Sequence, residues 1–158
     1  MFDSSKASFL QHNLLDFIIA LPEDRSPAWG VMNAHQAIEH LALIFDISST
    51  RRQYDLVTPE EYLPKFIAFL RSDKVFNENT KAPENLIGEE PLPLETLDIV
   101  VAKEKLRESV KNFFDYFKDN PNAVTVHPTF GPLGFADWIL LHYKHATHHM
   151  RQFGAELS

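Results

Sequence analysis

Four of the eight histidines of this chain lie in one short segment near its end, LLHYKHATHHMRQFG at residues 140–154. Because a helix advances about 100° per residue, His145 and His149 would lie about 40° apart on one face. His142, one turn earlier, falls about 20° from His149 and about 60° from His145 by the same arithmetic. His148 points away from this stripe. The spacing therefore predicts a helix whose histidines can hold a metal ion.

Composition limits the kind of site that this helix can contribute to. With 158 residues, of which 44% are hydrophobic, residues 1–158 are expected to form one globular domain with a substantial core. The chain contains no cysteine, which excludes disulfides, thiolate metal ligands and a cysteine nucleophile. A transition-metal site in this protein must therefore use His, Asp or Glu.

Charge and hydropathy argue against nucleic-acid and membrane partners. The formal net charge is −7 and the basic residues are scattered, whereas phosphate binding needs a basic face. The N-terminal segment has an early Asp3 and no cationic start before an apolar run, unlike a signal peptide. Since no stretch approaches the roughly 18 apolar residues that cross a bilayer, we expect a cytoplasmic protein.

Apolar periodicity and helix breakers divide the sequence into four substantial helices and some irregular chain. The helices are expected over residues 5–21, from an Asn33–Gln36 capping box to about Thr50, over 98–119, and from Gly134 to a left-handed cap at Gly154. No sheet is expected, because the only alternating apolar pattern is the short VTV at 124–126.

Two further segments lie between the second and third helices. Residues 59–71 begin at Pro59 and contain Pro64, which indicates a short or kinked helix. Residues 72–96 are rich in proline and turn residues, so they are expected to form a long irregular connection. Such a segment either covers a site as a lid or simply connects its neighbours.

A fifth histidine bears on the metal hypothesis. His40 lies on the apolar stripe of the second helix, and taken alone such a residue is usually a hydrogen-bonded core residue. Several imidazoles on one buried stripe are harder to explain by packing, because their desolvation requires partners that a cation would supply. A solvated histidine face remains the alternative for His145 and His149.

Three segments resemble the DinB/YfiT-like superfamily, within a branch of uncharacterised small bacterial proteins. They are WGVMNAHQAIEHLA, FLRSDKVFNENTKAPE and HPTFGPLGFADWILLHYKHATHHMRQFG, and they span residues 29–154. The resemblance implies an all-α, antiparallel four-helix bundle with a short extra helix and a long irregular connection. It also implies that His40, His145 and His149 bind a divalent metal ion in the core.

Three residues near the implied ligands have open roles. His142 is expected to be a fourth ligand, a hydrogen-bond donor to a ligand, or a residue that lines the pocket. Gln36 and Trp138 share the faces of the ligands and could support them or line the pocket, although a buried aromatic at such spacing is more often core. The remaining histidines are expected to miss the metal: His12, His35, His127 and His148.

Three imidazoles leave a divalent ion with open coordination positions, as in catalytic sites. Imidazole suits Zn, Ni, Fe and Cu alike, and we expect Zn or Ni first. Some relatives in the superfamily are thiol-dependent transferases or isomerases, which implies a metal-dependent transferase or hydrolase acting on a small molecule, such as a thiol. The alternative is a non-catalytic metal-binding or interaction bundle, and a homodimer is expected. Neither Glu39 nor Asp137 is assigned a catalytic role.

Overall fold

Helices account for most of the chain in its computed structural model, which describes residues 1–78 and 91–157. In chain order the elements are α1 Ser4–Gln11, α2 Asn13–Ala20, α3 Ala34–Ser48, α4 Leu63–Leu70, α5 Ile99–Asp119, β1 Thr125–His127, β2 Gly131–Leu133 and α6 Phe135–Gln152, with a 3-10 turn at Glu60–Tyr62 before α4. The mostly helical class is therefore confirmed. Within the described residues, every helix is too short or too polar to span a lipid bilayer.

The first apolar stripe is carried by two helices, whereas one helix was expected over residues 5–21. The backbone leaves helical angles at the exposed His12, where φ is −122° and ψ is −64°. Leu10, Leu14 and Ile18 are nevertheless all buried, so the stripe continues across the break. Apolar spacing predicts which side of a segment is buried, and it carries no information about the backbone angles of one polar residue.

The central helix α3 starts where its capping residues predict. Asn33 Oδ1 accepts a hydrogen bond from the backbone N–H of Gln36 at 2.8 Å, and Gln36 Oε1 accepts one from the backbone N–H of Asn33 at 2.9 Å. This arrangement is the expected capping box. The helix ends at Ser48, before the expected Thr50, whose φ is +65°. Because α3 is buried on most of its faces and packs against both α5 and α6, its side chains form much of the core.

The strands β1 and β2 form an antiparallel hairpin in which Thr125 pairs with Leu133. The expectation that no sheet would form was therefore wrong. A three-residue strand is shorter than the four to eight residues over which alternation can be recognised. The turn is closed by a side chain, because His127 Nδ1 accepts hydrogen bonds from two backbone N–H groups of the turn at 2.9 and 3.2 Å.

A chain of buried hydrogen bonds joins this hairpin to the two helices beside it. The indole N–H of Trp138 donates to Thr125 Oγ1 at 2.7 Å, and the Thr125 hydroxyl donates to the backbone carbonyl of Ser48 at 2.9 Å. His142 Nε2 lies 3.0 Å from Ser48 Oγ. These contacts link α6, β1 and the end of α3.

The end of α6 has the predicted left-handed glycine. Gly154 has φ +97°, and the backbone N–H of Ala155 donates to Met150 O at 2.9 Å while that of Gly154 donates to Arg151 O at 3.1 Å. This pair of bonds is a Schellman cap. The positive φ is the reason for glycine here, because a side chain at this position would strain the backbone.

The segment 59–71 contains the short helix that was predicted, α4. Its proline lies in the first turn rather than in the interior. An N–H there has no partner within the helix, so the proline costs no hydrogen bond.

The connection predicted over residues 72–96 is described only in part. Its described portions, 72–78 and 91–96, contain no helix or strand, as their breakers predict. Residues 79–90 lie outside the described residues, and the lid hypothesis for residues 72–96 stays a prediction.

Both described ends of this connection are held by charged side chains of the long helices. The Lys144 ammonium donates to the carbonyl oxygens of Ser72, at 2.7 Å, and Lys74. The Glu39 carboxylate accepts hydrogen bonds from the backbone N–H, at 2.8 Å, and from the hydroxyl of Thr96. The path of the connection is therefore tied to α6 on one side and to α3 on the other.

The buried hydrogen-bond chain can be tested by Thr125→Val, which keeps the side-chain size but removes the hydroxyl. The change leaves the Trp138 indole N–H without its acceptor and Ser48 O without this donor. Because an unsatisfied buried polar group costs about 1–3 kcal/mol, we expect the free energy of unfolding to fall by about that amount. Urea denaturation measures it.

Thr129→Val is the matched control for this change. Thr129 Oγ1 is buried and has no hydrogen-bond partner among the described residues, so the same deletion removes no bond. We expect Thr129→Val to be neutral or stabilising. Equal destabilisation by the two variants would show that the hydrogen bonds of Thr125 contribute nothing specific to the free energy of unfolding.

Candidate metal centre

Three imidazole rings from two helices meet in this protein. His40 lies on α3, while His145 and His149 lie one turn apart near the end of α6. Each residue offers one ring nitrogen, and these three nitrogens all lie within 4.8 Å of one another. The Nε2 atoms of His145 and His149 are 3.1 Å apart. The structure thus brings together the three residues that the resemblance implied, and we call them the three-histidine group.

The spacing of the His145 and His149 nitrogens fits a shared divalent ion. Ring centroids are 4.7 Å apart for His40 and His145, 5.3 Å for His40 and His149, and 4.7 Å for His145 and His149. Two imidazole nitrogens bound to one zinc ion at about 2.0–2.1 Å with a tetrahedral angle would be about 3.3 Å apart. The observed Nε2 separation of 3.1 Å is close to that value.

All three rings are neutral near pH 7. Burial, followed by the nearby His127 and His148, lowers the pKa of His40 to about 4. Burial, followed by His40, lowers the pKa of His149 to about 3. Burial and then the other rings of the group hold the pKa of His145 well below its ordinary value. Neutral imidazole is the form that offers a lone pair to a metal.

One nitrogen of the group has no protein partner. The Nδ1 atom of His40 is buried and makes no hydrogen bond within the described residues. Beside this ring lies a small cavity of about 50 Å³, whose lining includes Gln36, Glu39 and Leu92. Because a buried polar atom without a partner costs free energy, the ring of His40 is available to an ion or a water molecule.

Gln36 and Trp138 have structural partners of their own. The Gln36 side chain completes the capping box of α3 and lines the cavity beside His40. Trp138 is fully buried, donates to Thr125 and stacks near His142, with ring centroids 5.3 Å apart. Trp138 therefore serves the core.

His142 belongs to the aromatic core and lies outside the three-histidine group. Its ring stacks on Phe45 at a centroid distance of 3.8 Å, and its Nε2 faces the hydroxyl of Ser48. The Ser48 hydroxyl itself donates to Phe45 O at 2.6 Å, so it accepts from His142 Nε2–H. The structure therefore does not place His142 as a fourth ligand.

The four histidines that were expected to miss the metal all lie outside the three-histidine group. His12 is exposed at the break between α1 and α2. His127 closes the hairpin turn, and His35 Nε2 lies 2.7 Å from Thr96 Oγ1. His148 neighbours His149, at a centroid distance of 5.2 Å, but its ring packs near Trp29.

The two carboxylates considered from the sequence are both engaged elsewhere. Partial burial raises the pKa of Glu39, but hydrogen bonds from Thr96 and from the backbone of Glu95 outweigh it, and the pKa lies below its usual value. Asp137 forms a two-bond ion pair with Arg71, at 2.9 and 3.0 Å. Neither group is free to transfer protons beside the three-histidine group.

Gln152 is a contact of the group that sequence reasoning missed. Its Oε1 lies 2.7 Å from His149 Nδ1, and its Nε2 donates to Trp29 O at 2.9 Å. The available signal was its position three residues after His149, which places both side chains on one face of a helix. Nothing in the sequence indicates that the loop before α3 supplies the carbonyl.

Comparison with known proteins identifies one family. The family described as "Protein of unknown function (DUF1569)" matches residues 12–156. No curated protein and no solved structure matches the chain significantly.

The buried histidines make the stability of the metal-free protein depend on pH. The pKa values of His40, His127 and His149 in the folded state, about 4, 3 and 3, lie below the unfolded value of about 6.5. The unfolded chain therefore binds protons that the folded chain cannot. We expect stability to be fully present above about pH 6.5 and to be lost as the pH falls towards 4. Urea unfolding of chelator-treated protein across this range measures it.

Each buried histidine can add up to about 1.4 kcal/mol per pH unit to this slope. His127→Gln removes one of them and should make the profile shallower, whereas His12→Gln changes an exposed residue and should leave it unchanged. A stability profile that is flat between about pH 7 and pH 5 would contradict the burial of neutral rings.

Proposed function

The chain belongs to the DUF1569 family, whose function is unknown, and we propose that it is a metal-dependent enzyme acting on a small molecule, either a thiol-dependent transferase or a hydrolase. One observation carries the proposal: three neutral imidazoles, from α3 and α6, each offer a ring nitrogen within 4.8 Å of the other two. Packing alone does not account for this convergence, because the buried Nδ1 atom of His40 has no protein partner among the described residues.

His40, His145 and His149 would hold the ion, with zinc or nickel first and iron or copper as alternatives. Three protein ligands leave coordination positions open, which is typical of catalytic rather than structural zinc. A divalent ion held this way lowers the pKa of bound water towards about 7 and polarises an oxygen or sulfur atom.

Three other features of the protein support this proposal: the exposure of the rings, the contacts that hold them and the net charge. His149 is buried, while His40 and His145 retain partial exposure, and a small cavity lies beside His40. Gln152 and the α3–α6 packing hold the rings in place. The net charge of −7 favours a small-molecule substrate over nucleic acid.

We also propose that the helices form the antiparallel four-helix bundle of the DinB/YfiT-like superfamily. In this assignment α1 and α2 together supply one bundle helix, and α3, α5 and α6 supply the others. Support comes from the contacts of α3 with α5 and α6, and of α1 and α2 with both α5 and α6. The two ligand-bearing helices are those that the resemblance implies.

The second candidate function is a non-catalytic metal-binding or interaction bundle, and one observation favours it. Glu39 and Asp137, the carboxylates considered as acid or base, are both bound to other groups. The exposed Leu97 and Val100 at the start of α5 would suit a homodimer in this case. Dimerisation and a cytoplasmic location remain predictions.

The metal site is tested by His40→Ala, His145→Ala and His149→Ala. Protein purified without added metal should contain stoichiometric zinc or nickel by elemental analysis. Each variant should lose the metal. Loss of a supporting contact weakens metal binding by up to about 100-fold, and loss of a ligand should weaken it further. Competition with a chromophoric chelator measures the affinity.

His35→Ala and His12→Ala are the matched controls. His35 is buried on the same helix as His40 but contacts Thr96, and His12 is exposed. Both should retain stoichiometric metal. Loss of metal in the controls, or its retention in all three ligand variants, would refute the site.

The enzyme hypothesis is tested with metal-loaded protein and with protein treated with a chelator. Metal-loaded protein should hydrolyse an activated ester, or transfer a low-molecular-weight thiol to an electrophile, and chelation or His149→Ala should abolish the turnover. Mass spectrometry of products measures both reactions. Metal removal that only lowers thermal stability, with no turnover in either assay, would favour the binding bundle.

A further inference from the structure

The amide of Gln152 has only one orientation that satisfies its neighbours. Its nitrogen end lies 2.9 Å from the backbone carbonyl of Trp29, and its oxygen end lies 2.7 Å from His149 Nδ1. A carbonyl oxygen can only accept, so the amide NH₂ must face Trp29. The amide oxygen therefore faces His149 and requires a hydrogen on Nδ1.

From this geometry we propose that Gln152 is a positioning residue, which holds His149 as the Nδ1–H tautomer and turns the lone pair of its Nε2 into the three-histidine group. A neutral imidazole carries one ring hydrogen. With that hydrogen on Nδ1, Nε2 is a bare acceptor 3.1 Å from His145 Nε2. A hydrogen bond that fixes the tautomer of a ligand histidine also fixes the direction in which it binds a metal.

The surroundings of Gln152 are built to keep this orientation. Gln152 is 4% exposed, and its own carbonyl accepts from the backbone N–H of Ala28 at 2.7 Å. The residue after Trp29 is Gly30, with φ +80°, and a Cβ atom there would lie 3.0 Å from Gln152 Nε2. The loop before α3 therefore makes room for the amide and supplies its acceptor.

The assignment of the tautomer stands on the hydrogen bonds alone, while its consequence for metal affinity rests on the proposed function. Neither depends on catalysis. Gln152 lies outside the three-histidine group, and it acts through His149.

The test uses the full chain, labelled with ¹⁵N at histidine and free of metal. Long-range ¹H–¹⁵N correlation spectra at neutral pH distinguish the two tautomers, and the His149→Ala variant assigns the signals. We expect His149 to be the Nδ1–H tautomer in the wild type. A wild-type His149 in the Nε2–H form would overturn the inference, whatever the variants do.

Three variants separate positioning from general packing. Gln152→Met keeps the length of the side chain but removes the acceptor, so the Nδ1–H form of His149 should no longer predominate. Gln152→Glu retains an acceptor, so the Nδ1–H form should still predominate. Gln36→Met makes the same chemical change on α3, where the side chain caps the helix, and should lower stability without changing the His149 tautomer.

Zinc affinity supplies a second readout. Gln152→Met should weaken zinc binding by about 10–100-fold, as loss of a supporting contact to a ligand does, and Gln152→Glu should retain most of the affinity. Equal weakening by both would mean that Gln152 only anchors the loop, and would overturn the inference. If the wild type shows the Nδ1–H tautomer but binds no zinc, the proposed function fails and the tautomer assignment stands.

Discussion

The antiparallel packing of α6 against α3 determines where every candidate functional side chain of this protein lies. At one end Ser48 meets His142 through a hydrogen bond, and at the other His40 meets the ring of His149. The buried bonds of Thr125 fix this alignment further, because they join the hairpin to both helices. A shift of one helix by a turn, about 5.4 Å, would separate the three rings completely. The metal hypothesis therefore depends on the register of two helices more than on any loop.

The same two helices also hold the chain that passes near the three-histidine group. Lys144 precedes His145 on α6 and binds carbonyl oxygens at residues 72 and 74, while Glu39 precedes His40 on α3 and binds Thr96. Successive residues of a helix point about 100° apart. Each helix can therefore direct one side chain to the group and the next to the connection, so that both features share one rigid support.

The sequence predicted correctly those features that depend on hydrogen bonds between a few neighbouring residues. The capping box at Asn33 and the glycine cap at Gly154 formed as predicted, because each depends on a few neighbouring residues. The hairpin was missed, since its strands are three residues long and His127 closes the turn from within. Gln152 was missed because its role needs the carbonyl of Trp29, which is 123 residues away in the chain.

The amino-acid sequence by itself determined the mostly helical class, the caps of the long helices and the face on which His145 and His149 lie together. These follow from periodicity and from hydrogen bonds within a few residues. The resemblance had already implied that His40 joins them. Only the tertiary structure decided that His142 packs in the aromatic core and that an amide supports His149. Such choices depend on distances between helices, and those distances come from packing of the whole core rather than from any segment alone.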